Sequence, residues 1–272
     1  MSKIVPCESN GDVPVVCCPT SSNCKANKIY EHPSSKRPAH VGEFPFLAAI
    51  GFKERRKTVY RCSGALIADD LVLVAAHCNK SRYGEQVTVK LGKTSINNDP
   101  KDNSEGEDVA VQNVILHPNY DRNSFQNDIA LIKLNRTATP NSKYIKPICL
   151  SANDEHIIKK FSITGFLALV DRNHRTISNW TQTEPVEEYP FQKCKEDYKA
   201  LDTEIVETQF CGISPNGTSI IQSGPVSYHT SDGNTFLYGL TSYGSSRVTH
   251  IPDVYTKINQ YIDWIYAEVL RF

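Results

Sequence analysis

The chain has 272 residues, 39% of them hydrophobic, with 30 basic side chains balancing 30 acidic ones. That length supports one large domain or two small ones with a real core. A zero net charge with no basic stripe, the longest block being Arg55-Arg56-Lys57, argues against nucleic-acid binding. The longest apolar runs, Phe46 to Phe52 and Leu71 to Ala76, fall far short of the roughly 20 residues that span a bilayer.

Residues 1–45 are rich in Pro, Ser, Asn, Lys and Cys and lack periodicity, which predicts a cysteine-stapled fragment and a linker. Short apolar runs follow: Leu71 to Val74, Val87 to Leu91, Val109 to Leu116 and Ile129 to Leu134. Turn-forming clusters such as Asn97 to Asn103 and His117 to Asn123 separate them, the pattern of a many-stranded barrel or sandwich. One helix is predicted at the C-terminus, where Ile258, Tyr261, Ile262, Ile265 and Val269 recur at helical spacing.

Nine cysteines are many for a cytosolic enzyme, and Cys62, Cys78, Cys149, Cys194 and Cys211 are too scattered for a zinc module. They read as a disulfide framework formed in an oxidising compartment. Sequons at Asn79, Asn135, Asn179 and Asn216 agree with secretion and glycosylation. The start of the chain has no apolar signal-peptide core, and the cysteine count is odd.

Three local features bear on chemistry. His77 ends an apolar stretch beside Cys78; Asp128 enters the run Ile129 to Leu134; and Gln222-Ser223-Gly224-Pro225 forms a turn. Singly, each suits an ordinary structural role: a core histidine braced by a disulfide, a turn aspartate, a simple turn. Together, in the order His, Asp, Ser, they are the groups that serine acyl transfer requires. An imidazole takes the hydroxyl proton, a carboxylate fixes its tautomer, and backbone N–H groups hold the oxyanion.

With these residues the chain resembles the trypsin-like serine proteases from about Gly42 to Phe272. Gly-Glu-Phe-Pro-Phe at 42–46 looks like the family's opening strand, and Cys62 to Ile67 resembles its Cys-Gly-Gly-Ser/Ala-Leu-Ile strand. Ala75-Ala76-His77-Cys78 and Asn127 to Leu131 are similar to its histidine and aspartate motifs. Lys146 to Leu150, Gln209 to Cys211, Gly239 to Gly244, and Pro252 to Tyr255 followed by Trp264 resemble later segments. The resemblance implies an all-β fold of two six-stranded antiparallel barrels with a C-terminal helix. It also implies the disulfides Cys62–Cys78, Cys194–Cys211 and Cys24–Cys149. Upstream, Val15 to Pro19 resembles the end of an arthropod clip domain, so Cys7, Cys17 and Cys18 look like half of a three-disulfide module. On that resemblance, three further cysteines and a signal peptide belong upstream. The expected organisation is a partial clip domain at 1–19, a linker with a vestigial activation segment at 20–41, and a protease domain at 42–272.

The nucleophile region departs from the family's Cys-x-Gly-Asp-Ser-Gly-Gly-Pro. Without gaps, Gln222 takes the nucleophile position and Ile220 and Ile221 replace the oxyanion glycine and the aspartate. Aligned on the serine, Ser223 is the nucleophile but the preceding Gly-Asp pair is lost. A β-branched residue resists the turn that a glycine makes there. The family's Ile-Val-Gly-Gly terminus maps onto Pro33 to Lys36, with Lys28-Ile29-Tyr30 the surviving cleavage candidate, and no Asp or Glu lies between Cys211 and Gly224. In the specificity pocket, which Gly244 helps to line, the base falls in Asn216 to Thr218 without a carboxylate. There Asp253 replaces a glycine, either to attract a basic group or to fill the space. In the family's calcium loop, Lys93 stands where calcium binders carry an acid, despite Asp99, Asp102, Glu105, Glu107 and Asp108. No metal and no cofactor is expected.

With these departures the chain reads as a secreted serine protease homologue without catalysis, a monomer or weak oligomer. The resemblance implies that it binds proteases or zymogens, as a regulator or cofactor of an extracellular cascade of the innate-immune or melanisation type. Its rivals are an active endopeptidase using His77, Asp128 and Ser223, and a non-enzymatic extracellular binding module.

Overall fold

The computed structural model describes residues 5–7, 15–17, 33–79, 84–97, 99–139, 143–150, 160–166, 168–171, 174–215, 223–231, 233–244 and 251–271. Near the N-terminus, β1 (Val5–Cys7) and β2 (Val15–Cys17) pair antiparallel, Cys7 opposite Val15. Next comes β3 (Arg37–Pro38). It lies within the stretch read as linker, yet it pairs with Gln182 and Thr183 of the second barrel.

The first barrel is built from β4 (Leu47–Glu54), β5 (Lys57–Ala68), β6 (Leu71–Val74), β7 (Glu85–Leu91), β8 (Glu107–Leu116) and β9 (Ala130–Leu134). It closes in the order β4-β5-β6-β9-β8-β7, every pairing antiparallel. The expected opening strand at 42–46 is instead a pair of turns, and the strand starts at Leu47. Gly42 has φ +76°, Pro45 has no N–H to give to a ladder, and the bonds Glu43 N–H to His40 O and Leu47 N–H to Phe44 O close turns.

After β10 (Cys149–Leu150) come β11 (Phe161–Gly165), the hairpin β12 (Ala168–Asp171) and β13 (His174–Ile177), and β14 (Gln182–Tyr189). A helix absent from the sequence reading, α1 (Phe191–Lys199), precedes β15 (Gln209–Ile213), β16 (Pro225–His229), β17 (Thr235–Tyr243) and β18 (Asp253–Lys257). Strands β17-β16-β11-β14-β15-β18 run in that order, and β18 pairs back onto β17, so a second six-stranded antiparallel barrel closes. The C-terminal helix opens with a 3-10 turn at Ile258–Tyr261 and continues as α2 (Ile262–Val269).

Each barrel has its own apolar interior. Ile50, Phe52, Leu66, Val72, Val89 and Ile132 fill the first, while Phe161, Val186, Phe210, Tyr228 and Tyr255 fill the second. A larger cluster joins them: Leu47, Leu71, Leu73 and Leu131 of the first barrel pack with Leu237, Leu240, Ile258, Ile262 and Ile265. Among the described residues no helix is long and apolar enough to cross a membrane.

Candidate active site

His77 and Asp128 come from the first barrel, at the seam with the second. The strand β6 ends at Val74, and a 3-10 turn at Ala76–Cys78 follows, pinned by the Cys62–Cys78 disulfide. That turn presents His77, whose side chain is 17% exposed, beside an Asp128 carboxylate that is wholly buried. His77 Nδ1 lies 2.8 Å from Asp128 Oδ2, and the His77 backbone N–H donates to Asp128 Oδ1 at 2.8 Å. An ionised carboxylate on Nδ1 selects the tautomer that carries its proton there and leaves Nε2 as a base. Two second-barrel hydroxyls complete the arrangement. Ser242 Oγ donates to Asp128 Oδ2 at 2.6 Å, and Thr256 Oγ1 donates to the Asp128 carbonyl at 3.0 Å.

Ser223 is not part of this relay. Its residue is 3% exposed, and its hydroxyl donates to the Ser63 carbonyl at 3.0 Å while accepting the Ser63 N–H at 3.2 Å. The Cys78 sulfur of the disulfide lies 3.4 Å away. Ser63 needs these bonds because of where β6 stops. Ala65 pairs with Leu73, so the residue opposite Ser63 would be Ala75, which has already left the strand. The outward N–H and C=O of Ser63 therefore lack a ladder partner, and one serine hydroxyl satisfies both. Gly224 is fixed in turn by the N–H and Oγ1 of Thr241, both donating to its carbonyl. Residues 216–222, including Gln222, the isoleucine pair and the pocket residue Asn216, lie outside the described residues.

On the specificity side, Asp253 opens β18 and its carboxylate sits over Gly244. A Cβ built on Gly244 would meet Asp253 Oδ1 at 1.7 Å, so the acid occupies the space that the bare glycine leaves. Tyr198 lies close behind it and donates its hydroxyl to the Pro252 carbonyl at 2.7 Å. Burial raises the Tyr198 phenol pKa, and the Asp253 charge raises it further. The ring of Tyr243 packs edge-on against Tyr198 at 5.8 Å and tilted against Phe125 at 5.4 Å. Burial pushes its phenol up to about 12. Phe125, held at φ +56°, also meets the His77 ring edge-on at 6.2 Å. An aromatic wall thus stands between the dyad and Asp253.

The loop expected to bind calcium in relatives has its own cation. The Lys93 ammonium donates to the Ser104 carbonyl, while Asp102 accepts the N–H groups of Thr94 at 3.0 Å, Ser95 at 2.7 Å and Ser104 at 3.1 Å. Burial alone would raise the Asp102 pKa, but the Ser104 hydroxyl, these N–H groups and the Lys93 charge together hold it below the usual carboxylate range.

Just after the place where the family's new terminus would form, β3 pairs with the second barrel. Ser34, Ser35 and Lys36 are exposed, and Arg37 grips the buried Glu43 carboxylate through both guanidinium nitrogens, at 2.8 and 2.5 Å. The alternative cleavage point at Lys28 lies outside the described residues. Cys194–Cys211 is bonded, and Cys149 is disulfide-bonded too; its expected partner Cys24 is outside the described residues, as is Cys18. Of the sequons, Asn135 and Asn179 are exposed and Asn79 half-buried.

Ser63, Phe125, Ser242 and Thr256 are site residues that do not stand out as such in the sequence. Ser242 precedes Tyr243-Gly244 in a quoted motif and was within reach. The φ +56° that turns Phe125 over His77 leaves no mark in residue type.

A family model described as Trypsin matches residues 34–265. CLIP domain-containing serine protease B15 of Anopheles gambiae is 28% identical over 93% of this chain and 74% of its own length. Serine protease snk of Drosophila melanogaster is 27% identical over 95% and 69%. Phenoloxidase-activating factor 3 of Holotrichia diomphalia is 29% identical over 84% and 70%. Among solved structures, neuropsin, a serine protease expressed in the limbic system of mouse brain, superposes with a TM-score of 0.68 at 29% identity. That match covers 86% of this chain and 98% of neuropsin. The Drosophila Grass clip serine protease of the Toll pathway gives 0.72 over 96% of this chain and 82% of its own, at 21% identity, a likeness of fold. The matched span takes in both barrels and the His77–Asp128 pair, and this chain belongs to the trypsin family.

Proposed function

We propose that this chain is a secreted serine protease homologue without catalytic activity that regulates an extracellular proteolytic cascade, as a cofactor binding proteases or zymogens. One observation carries the loss of catalysis: the Ser223 hydroxyl is buried and spends its proton and a lone pair on the Ser63 backbone. A serine nucleophile must instead hand its proton to the imidazole. His77 Nε2 has no protein partner among the described residues. The placement suits the ungapped alignment, with Gln222 at the nucleophile position and Ser223 as the next residue. The absent oxyanion glycine, the absent acid before the nucleophile and the filled space at Asp253–Gly244 point the same way. Each is costly: one lost oxyanion donor alone slows acyl transfer by about 10²–10³.

The cascade role is supported by the relatives, named clip-domain serine proteases, a proclotting enzyme and a phenoloxidase-activating factor. The clip-like half-module, the disulfides and the sequons support an extracellular setting. A fluorophosphonate probe tests the catalytic half: the chain should remain unlabelled, and an adduct on Ser223 would restore the active endopeptidase. Affinity capture from the secreting fluid tests the other half. Co-purifying proteases or zymogens are expected, and their consistent absence would favour a binding module outside any cascade.

A further inference from the structure

The longest basic block of the sequence lies at the turn between β4 and β5. Strand β4 ends at Glu54 and β5 begins at Lys57, so Arg55-Arg56 is a two-residue hairpin loop. Lys53, Arg55, Arg56 and Lys57 are all exposed. Other cations of this barrel are paired: Arg61 with Glu54, Lys90 with Asp108, Lys133 with Asp70. The four at the tip form no ion pair among the described residues. The acids on this ribbon and directly across from it are Glu54, already bound to Arg61, and Glu85, opposite Lys53 on β7. Five cations against two carboxylates leave a local excess of three positive charges on a chain that is neutral overall.

The turn itself is built against local preference. Arg55 sits at φ +55°, a left-handed position that glycine or asparagine fills with less strain and that two-residue hairpins normally reserve for them. Strain kept at an exposed tip, where packing does not require it, is a pointer to use. The tip is also well placed. From Lys57 to Cys62 the strand β5 runs five residues, about 17 Å at strand rise, which sets the tip that far along the strand from the Cys62–Cys78 disulfide beside His77.

We propose that the β4–β5 tip docks a short acidic segment of a protein partner. Its charge is confined to a ribbon two strands wide, which suits a few carboxylates on a folded partner. Long polyanions gain affinity by neutralising many charges along a basic stripe, and the sequence, neutral overall, has no Lys/Arg block longer than this one. The surface lies outside the dyad, so it serves whether or not the cleft hydrolyses anything.

The test uses the intact chain and a fluorescent synthetic peptide of alternating Glu and Gly. Binding at low ionic strength that weakens as salt rises is expected. The variant R55G/R56S removes two charges and supplies the glycine that the turn favours. It should bind the peptide at least about tenfold more weakly, with a thermal midpoint equal to or above that of the parent. A variant lacking Lys101 and Lys199, two exposed cations elsewhere, should bind as the parent does. Undetectable binding, unchanged binding by R55G/R56S, or an equal loss in the Lys101/Lys199 variant overturns the proposal. So does a chain that takes up a heparin oligosaccharide at physiological salt but not the peptide, which would give the tip to a polysaccharide.

Discussion

Replacing Ser223 by alanine separates a structural serine from a catalytic one. The hydroxyl serves two buried backbone groups, the N–H and the C=O of Ser63, which β6 leaves without ladder partners. Alanine keeps the backbone and removes both bonds at a site that is 3% exposed. A buried polar group left unpaired costs about 1–3 kcal/mol, and partial relaxation shared between two groups puts the loss near 2 kcal/mol. For a domain of this size each kcal/mol moves Tm by about 2–4 °C, so the variant should melt about 4–8 °C lower. Differential scanning fluorimetry on disulfide-intact protein reads this directly, with the exposed Ser35→Ala as a control that should not move. Fluorophosphonate labelling and ester turnover should be absent before and after. An unchanged Tm together with labelling of the parent at Ser223 would refute the reasoning.

Other expectations follow from the same geometry. Asp128→Ala should cost about 3–5 kcal/mol in denaturant unfolding, because it strips a buried carboxylate from His77 and Ser242. Calcium and chelators should leave Tm unchanged, whereas Lys93→Met should lower it by removing the internal cation beside Asp102. The depressed Asp102 pKa contributes stability present above about pH 4 and lost as pH falls below it, measurable as a falling denaturation midpoint. Burial lowers the His117 pKa, so the unfolded chain protonates first: stability should drop as pH falls through about 6.5 and level off once the folded state also protonates, a component that His117→Phe removes.

The first barrel was legible because its strands alternate cleanly or run apolar between turn signals. Leu71–Val74 coincides with β6, and the runs ending at Leu91, Leu116 and Leu134 end where β7, β8 and β9 do. The second barrel was harder to read. Strand β14 contains Glu184, Pro185, Glu187 and Glu188, a composition that argues against a strand, yet Thr183 to Val186 are buried and pair with β11 while Glu187 to Tyr189 pair with β15. Helix α1 offers Cys194 and Tyr198 as its buried residues, an i, i+4 pair too sparse to register as periodic. For the site, residue type and order disclosed His77 and Asp128, because their roles need those side chains. The part that Ser223 plays was not legible, since it depends on β6 ending one residue short of pairing with Ser63.

The dyad has a structural reason to persist, independent of any nucleophile. Asp128 belongs to the first barrel, but Ser242 and Thr256, on β17 and β18 of the second, donate to its carboxylate and its carbonyl. The Ser223–Ser63 pair makes a second polar tie across the same seam, where the apolar cluster of Leu47, Leu73, Leu237 and Ile262 is otherwise non-directional. Hydrophobic contact holds the barrels together but fixes their register weakly; a buried carboxylate with several donors tolerates one arrangement. The imidazole matters less to this seam: its ring bond to Asp128 can be replaced, while its backbone N–H bond cannot be removed by substituting the side chain. His77→Gln should therefore fold, whereas Asp128→Ala should loosen the seam itself. Hydrogen exchange on β17 and β18, rising in the second variant and unchanged in the first, is the pattern this argument requires.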